Sequence, residues 1–180
     1  ILEVVQNTPI KVAGENRVQE FLQKYDEKVT WDFIGKLQTN KVKYIIEKVR
    51  LIHSADREKL LNTIDKEAQK ANKVQDILIQ INAGQENSKS GIAPEEAKEF
   101  AQKVKAYENL RLRGIMAVVP IAKEQELIKL FEKTKNIYDD IKKEHSDFDY
   151  LSMGMSNDYE LAIKCGANLI RLGRAIFGER

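Results

Sequence analysis

The chain has 180 residues, of which 42% are hydrophobic, and 30 Lys and Arg face 28 Asp and Glu for a net charge of +2. No apolar run approaches the ~18 residues of a membrane-spanning helix, and the charges are interspersed rather than gathered into a basic block. Neither a membrane nor a nucleic acid is therefore expected as a partner, and the length suits a single domain, residues 1–180, with a sizeable core. The lone cysteine, Cys165, excludes an internal disulfide and a multi-cysteine metal site, agrees with a reducing cytoplasm, and reads as a helix-packing residue.

In chain order, the first residues (2–6) look like the tail of a helix already under way, and Ile1 is not an initiator methionine, so a segment upstream is expected. Short β-branched apolar runs then alternate with amphipathic charged stretches, as in βα units around a parallel sheet. Strands are predicted at residues 10–13, 30–34, 50–54, 76–82, 112–118, 150–153 and 169–172. Between the fourth and fifth, residues 93–107 form a predicted helix with Pro94 in the first turn, Glu95 and Glu96 complementing the dipole, and Ala97, Ala101 and Val104 facing inward. The longest predicted helix, residues 123–144, sets Leu127, Leu130, Phe131, Thr134, Tyr138 and Ile141 on one stripe. Seven βα steps and a truncated leading helix predict a TIM-type (β/α)8 barrel, an α/β fold, whose first strand lies before Ile1. An open doubly wound sheet is the alternative, but its Gly-rich loop after the first strand is missing.

Barrel function gathers at the C-terminal ends of the strands. Those ends read Gly14-Glu15-Asn16-Arg17, then Ile34-Gly35-Lys36-Leu37-Gln38-Thr39-Asn40-Lys41, then His53-Ser54-Ala55-Asp56, followed by Asn82-Ala83-Gly84 and Met116-Ala117-Val118. Alternation puts Leu78, Gln80 and Asn82 on one strand face, and the two amides need either a structural hydrogen-bond layer or a ligand. The last two ends carry the sharpest chemistry: Leu151-Ser152-Met153-Gly154-Met155-Ser156-Asn157-Asp158, and Leu169-Ile170-Arg171-Leu172-Gly173-Arg174 running on to Phe177-Gly178. Ser156 or Asn157 could cap a helix beginning at Asp158, and Gly154 would let the backbone approach a phosphate. Arg171 would project from the last strand beside the amides of Gly173 and Arg174, a fixed cation with free N–H groups that suits a planar anion.

These segments, with Gly14 to Glu20, Phe33 to Lys41, Ser88-Lys89-Ser90-Gly91 and Leu112 to Ala117, resemble the pyridoxal-phosphate homeostasis proteins in their order along essentially the whole chain. The resemblance implies a barrel like the N-terminal domain of alanine racemase without that enzyme's C-terminal β domain. It also implies a cytoplasmic, monomeric carrier that holds and releases pyridoxal 5′-phosphate without established catalytic turnover, with pyridoxal-phosphate-dependent apoenzymes as candidate recipients. Carried over, Arg171 would sit at the pyridine nitrogen, while Ser156 and the amides of Gly173 and Arg174 would hold the phosphate. Asn16 would lie near the ring oxygen, with Ile34, Met116 and Met153 lining the pocket. Arg174 departs from the small hydroxyl residue frequent there in the family. The family's Schiff-base lysine would fall upstream of Ile1; Lys36, Lys41 and Lys89 are read as loop charges or anion contacts.

The rival reading is a racemase-like, pyridoxal-phosphate-dependent enzyme acting on small amino acids, which needs a second acid/base group. His53 could be proposed for it, but reads more simply as a hydrogen-bonded structural histidine, and His145 as solvated. A bare interaction protein on a barrel scaffold is a third reading, against which the intact phosphate-cup residues argue.

Overall fold

The computed structural model describes residues 1–85 and 90–178. Lys89 and the serine before it therefore lie outside the described residues. After a short helix α1 (Leu2–Asn7), strands and helices alternate: β1 (Val12–Glu15), α2 (Val18–Lys24), β2 (Thr30–Phe33), β3 (Leu51–Ala55), α3 (Glu58–Lys70), β4 (Gln75–Ile81), α4 (Ala97–Val104), β5 (Leu110–Ala117), α5 (Glu124–Lys142), β6 (Tyr150–Met155), α6 (Tyr159–Lys164), β7 (Leu169–Arg171) and α7 (Arg174–Phe177). The strands form one seven-stranded sheet in sequential order, and every neighbouring pair is parallel. This is the expected barrel, seven strands nearly closed with helices outside, and β1 and β7 are its two edges.

Side-chain alternation divides the strands between two cores. Outward residues such as Trp31, Phe33, Ile52, Ile77, Ile79, Ile115, Leu151 and Met153 join the helices' apolar stripes in one large cluster. Inward residues Leu51, Leu78 and Met116 make a small separate cluster, with Val118, Tyr150 and Leu169 packed against it. The barrel interior is thus apolar only in part, and the rest of it is polar. The stripe of α5 packs as the spacing predicts, with Phe131, Thr134, Tyr138 and Ile141 buried, and Thr134 returns its hydroxyl to the Leu130 carbonyl at 2.8 Å. The helix predicted at 93–107 starts as a 3-10 turn at Pro94–Glu96 before α4.

The strand limits shift by one or two residues. The first strand is displaced from 10–13 to Val12–Glu15, leaving Ile10 exposed. It extends through Gly14 and Glu15 because the Lys24 ammonium reaches the buried Glu15 carboxylate at 2.6 Å, which removes the penalty for enclosing that charge. The fifth strand begins at Leu110, two residues early. Within it Gly114 adopts φ +150, and a Cβ there would lie 1.9 Å from the Tyr150 carbonyl oxygen, so only glycine lets β5 and β6 approach this closely. No helix among the described residues is long and apolar enough to cross a membrane.

The N-terminal end of the barrel is closed by paired charge. Arg50 makes a two-point contact with Asp32, Nε to Oδ1 at 2.9 Å and Nη2 to Oδ2 at 2.6 Å. Arg111 and Arg113 share Asp76, and Arg113 also holds Asp149. The guanidinium groups of Arg50 and Arg113 each lie 5.5 Å from the Tyr150 ring centre.

Candidate functional site

At the opposite end of the barrel, strand termini bring the sequence-predicted residues onto one rim, though not all in the expected posture. Arg171 closes β7 and turns inward: Nη1 donates to Ser152 Oγ at 2.6 Å, and Nη2 donates to the Ala117 carbonyl at 2.8 Å. It enters no ion pair among the described residues. Burial pulls its pKa from the ordinary 12.5 to about 10, against a raising influence from Asp158. It remains a cation at neutral pH, held by neutral acceptors and still able to take an acceptor or an anion.

Ser156 sits in the β6–α6 turn, with its hydroxyl facing β7. The N–H groups of Gly173 and Ala175 both donate to Ser156 Oγ, each at 3.2 Å. One correction follows. The helix begins at Tyr159 with Asp158 at the cap position, and neither Ser156 nor Asn157 caps it; Asp158 Oδ1 instead accepts the Met155 N–H at 2.6 Å. The two amides that converge on Ser156 Oγ are those of Gly173 and Ala175, with exposed Arg174 between them at the start of α7. Ala175 carries no polar side chain, so only the tight turn at Gly173, with its i to i+2 spacing of amides, could have indicated it. A Cβ at Gly173 would meet nothing within 4 Å, so the space over this turn is open.

Of the remaining residues, Met116 lies inside the barrel with Leu51 and Leu78. Met153 does not: it is fully buried in the cluster between sheet and helices, on the face opposite Ser152, as period-two alternation requires. It therefore lines no cavity of the barrel interior. Ile34 is partly buried, and its side chain lies over Gly14, where a Cβ would stand 3.1 Å from the Ile34 Cδ1. Asn16 is exposed at the end of β1. A Cβ on Gly35 would be 2.0 Å from the Asn16 carbonyl oxygen, so the β2 loop presses directly against the Asn16 backbone and fixes its position.

Two residues that the sequence left open are explained by hydrogen bonds. Gln80 Nε2 donates to the Ser90 carbonyl at 2.8 Å, tying β4 to the loop beyond it. His53 is 1% exposed; its Nε2 lies 3.1 Å from Asp32 Oδ2, and its Nδ1 lies 3.3 Å from Ser152 Oγ. Burial depresses its pKa below 6.5, the neighbouring Asp32 raising it less than burial lowers it. For Asp32, burial acts upward, yet the hydrogen bonds from His53 and Arg50 prevail and hold its carboxyl below 3.8. His145, expected to be solvated, is partly buried beside Phe148, ring centres 5.8 Å apart, and burial lowers its pKa. Cys165 packs against the large core and its thiol is raised by burial, in keeping with a packing role. Neither rim lysine among the described residues contacts the Ser156 turn: Lys41 lies 5.7 Å from the Tyr44 ring centre, and Lys36 is exposed.

A parallel βα barrel with an arginine that has no ion pair among the described residues inside its C-terminal rim, next to two amides gathered by a serine, defines an alanine racemase-type barrel, and residues 2–180 match the family described as alanine racemase, N-terminal domain. The chain belongs to the pyridoxal phosphate homeostasis protein family: the member from Aquifex aeolicus is 44% identical over 186 residues, spanning 100% of this chain and 82% of the relative. PipY of Synechococcus elongatus, solved with pyridoxal phosphate bound, superposes with a TM-score of 0.82 at 29% identity, over 92% of this chain and 80% of PipY. An alanine racemase of Clostridium difficile shares the fold, with a TM-score of 0.81 at 14% identity over 99% of this chain and 47% of the enzyme.

Proposed function

We propose that this chain binds pyridoxal 5′-phosphate at the C-terminal rim and acts as a carrier that holds and releases it. The observation that carries the reading is a buried Arg171, without an ion pair among the described residues, at the end of β7, with the N–H groups of Gly173 and Ala175 gathered on the Ser156 hydroxyl just beyond it. The phosphate would take those two N–H groups together with the Ser156 O–H, a set of donors without a carboxylate in direct contact among the described residues. Arg171 would face the pyridine nitrogen. Met116 and Ile34 would border the ring, and Asn16 its oxygen. Bound there, the cofactor supplies a reactive aldehyde. A permanently charged arginine at the ring nitrogen disfavours protonating it, which weakens the ring as an electron sink.

The carrier reading is favoured over the racemase-like one by His53. Both of its nitrogens are engaged inside the barrel, so it offers no second acid/base group at the rim. The covalent anchor is proposed to lie outside residues 1–180, and the protein to act as a cytoplasmic monomer that hands the cofactor to apoenzymes. Titration with pyridoxal phosphate and with pyridoxal, read by absorbance, tests the site. Ser156→Ala should weaken the phosphorylated ligand about tenfold and leave pyridoxal unchanged, whereas Arg171→Ala should weaken both by about tenfold or more. Wild-type affinity for both ligands in Arg171→Ala would remove the role assigned to the arginine.

A further inference from the structure

A hydrogen-bonded file of side chains runs through the barrel interior. It runs from Arg50 to Asp32, from Asp32 to His53, from His53 to Ser152 and from Ser152 to Arg171. The proton positions along it are determined. Asp32 is ionised and can only accept, so His53 Nε2 must carry a hydrogen; His53 is neutral, so Nδ1 is bare and accepts the Ser152 O–H. That leaves the Ser152 oxygen lone pairs as the acceptor facing the Arg171 Nη1, at 2.6 Å. Each member is thus polarised in one direction, and Asp32 sets that direction from the far end.

Resting on the pyridoxal-phosphate reading above, we infer that Ser152 and His53 are positioning residues for the ring-nitrogen contact, fixing the plane and the hydrogen-bond direction of the Arg171 guanidinium. Among the described residues the arginine has one other anchor, the Ala117 carbonyl at 2.8 Å. A guanidinium held at two points presents a set N–H toward the rim; held at one, it pivots. Protonating His53 would undo the arrangement. Nδ1 would become a donor to Ser152, the Ser152 O–H would lose its acceptor in a buried place, and a second cation would stand one hydroxyl from Arg171. The charged and titratable groups around His53 are Asp32 on β2, Arg50 beside β3 and Arg171 on β7, with the Tyr150 hydroxyl on Arg50 at 3.2 Å. Of these, His53 is the one whose ordinary pKa of 6.5 lies near neutrality.

The test uses the full-length protein with pyridoxal phosphate as titrant between pH 5 and 8. Wild-type affinity should fall as the pH drops through the folded His53 pKa. Ser152→Ala should bind about tenfold more weakly at pH 8 and lose the pH dependence, while Ser152→Thr, which keeps the hydroxyl, should restore both. An affinity and pH profile for Ser152→Ala that match the wild type would overturn the inference. If the wild type does not bind pyridoxal phosphate, the functional reading falls, and the file itself is judged by imidazole 15N shifts of the ligand-free protein. A single Nε2–H tautomer in the wild type upholds it, and a mixture there refutes it.

Discussion

Asp32→Asn is the most informative single change in this barrel, because one carboxylate closes the N-terminal end and orients the interior file. Asp32 is 2% exposed and accepts two hydrogen bonds from Arg50, at 2.9 and 2.6 Å, and one from His53 at 3.1 Å. The amide that replaces it keeps a single acceptor oxygen and turns an N–H2 toward groups that are already donors. His53 can adapt by exchanging its tautomer; Arg50 cannot. Removing one partner of a buried ion pair costs about 3–5 kcal/mol. Because the Arg50 side chain is 32% exposed, water recovers part of that, and a loss of about 2–3 kcal/mol is expected. For a domain of about 180 residues that lowers Tm by roughly 5–10 °C. Urea unfolding followed by fluorescence is a direct assay, since the lone tryptophan, Trp31, adjoins Asp32 on β2, is 1% exposed, and donates its indole N–H to the Asp26 carbonyl at 3.0 Å. A loss below about 1 kcal/mol with an unchanged m-value would show that the pair does not hold the interior together.

Further consequences concern pH and backbone. Because the folded His53 pKa lies below 6.5, the unfolded chain takes up a proton in a window where the folded chain does not; stability therefore falls as pH drops from about 6.5 toward the folded value, by up to ~1.4 kcal/mol per pH unit. His145 acts in the same direction, so Tm against pH should be compared in His145→Asn and in His145→Asn with His53→Gln; an equal slope in both would clear His53 of the effect. The Asp32 contribution, present above 3.8, is lost only at lower pH, as the medium passes its depressed folded pKa. Gly114→Ala should cost about 4 kcal/mol or fail to accumulate as soluble protein, because its Cβ would stand 1.9 Å from the Tyr150 carbonyl oxygen at φ +150. Gly173→Ala should stay within about 1 kcal/mol of wild type in the same urea assay, having open space at the Cβ.

The architecture was legible because it depends on local periods: two along the strands and about three and a half along the helices, with Pro94 marking a helix start. Helix α5 shows this, with Phe131, Thr134, Tyr138 and Ile141 buried as the stripe predicts. The rim was legible in residue type but not in posture. Ser156 was expected to cap its own helix, whereas its hydroxyl is drawn across to the amides of the next loop, a contact over 17 and 19 residues that no local rule supplies. The misplacement of Met153 was avoidable, since it alternates with Ser152 and must face the helices if Ser152 faces the barrel interior. The interior file could not be read at all. Its members are separated by 21, 99 and 19 residues, and only barrel closure brings Asp32, His53, Ser152 and Arg171 into one line.

Arg171 meets its surroundings differently from the arginines at the N-terminal end of the barrel, and this sets up a final expectation. At the N-terminal end Arg50, Arg111 and Arg113 each meet a carboxylate. At the C-terminal end Arg171 meets a hydroxyl and a carbonyl, and burial lowers its pKa to about 10. A cation desolvated without a counter-charge contributes little to the ligand-free fold and gains its partner when a ligand arrives. Arg171→Met, which fills similar volume without charge, should therefore leave ligand-free stability within about 1 kcal/mol of wild type, unlike Asp32→Asn at the other end. The same variant should lose most of the ligand-induced stabilisation, which at 100 times the Kd amounts to about 2.7 kcal/mol for the wild type. Thermal unfolding with and without pyridoxal phosphate separates the two effects. If Arg171→Met destabilised the ligand-free chain by more than about 2 kcal/mol, Arg171 would be a structural residue like Arg50, and its different surroundings would have no bearing on binding.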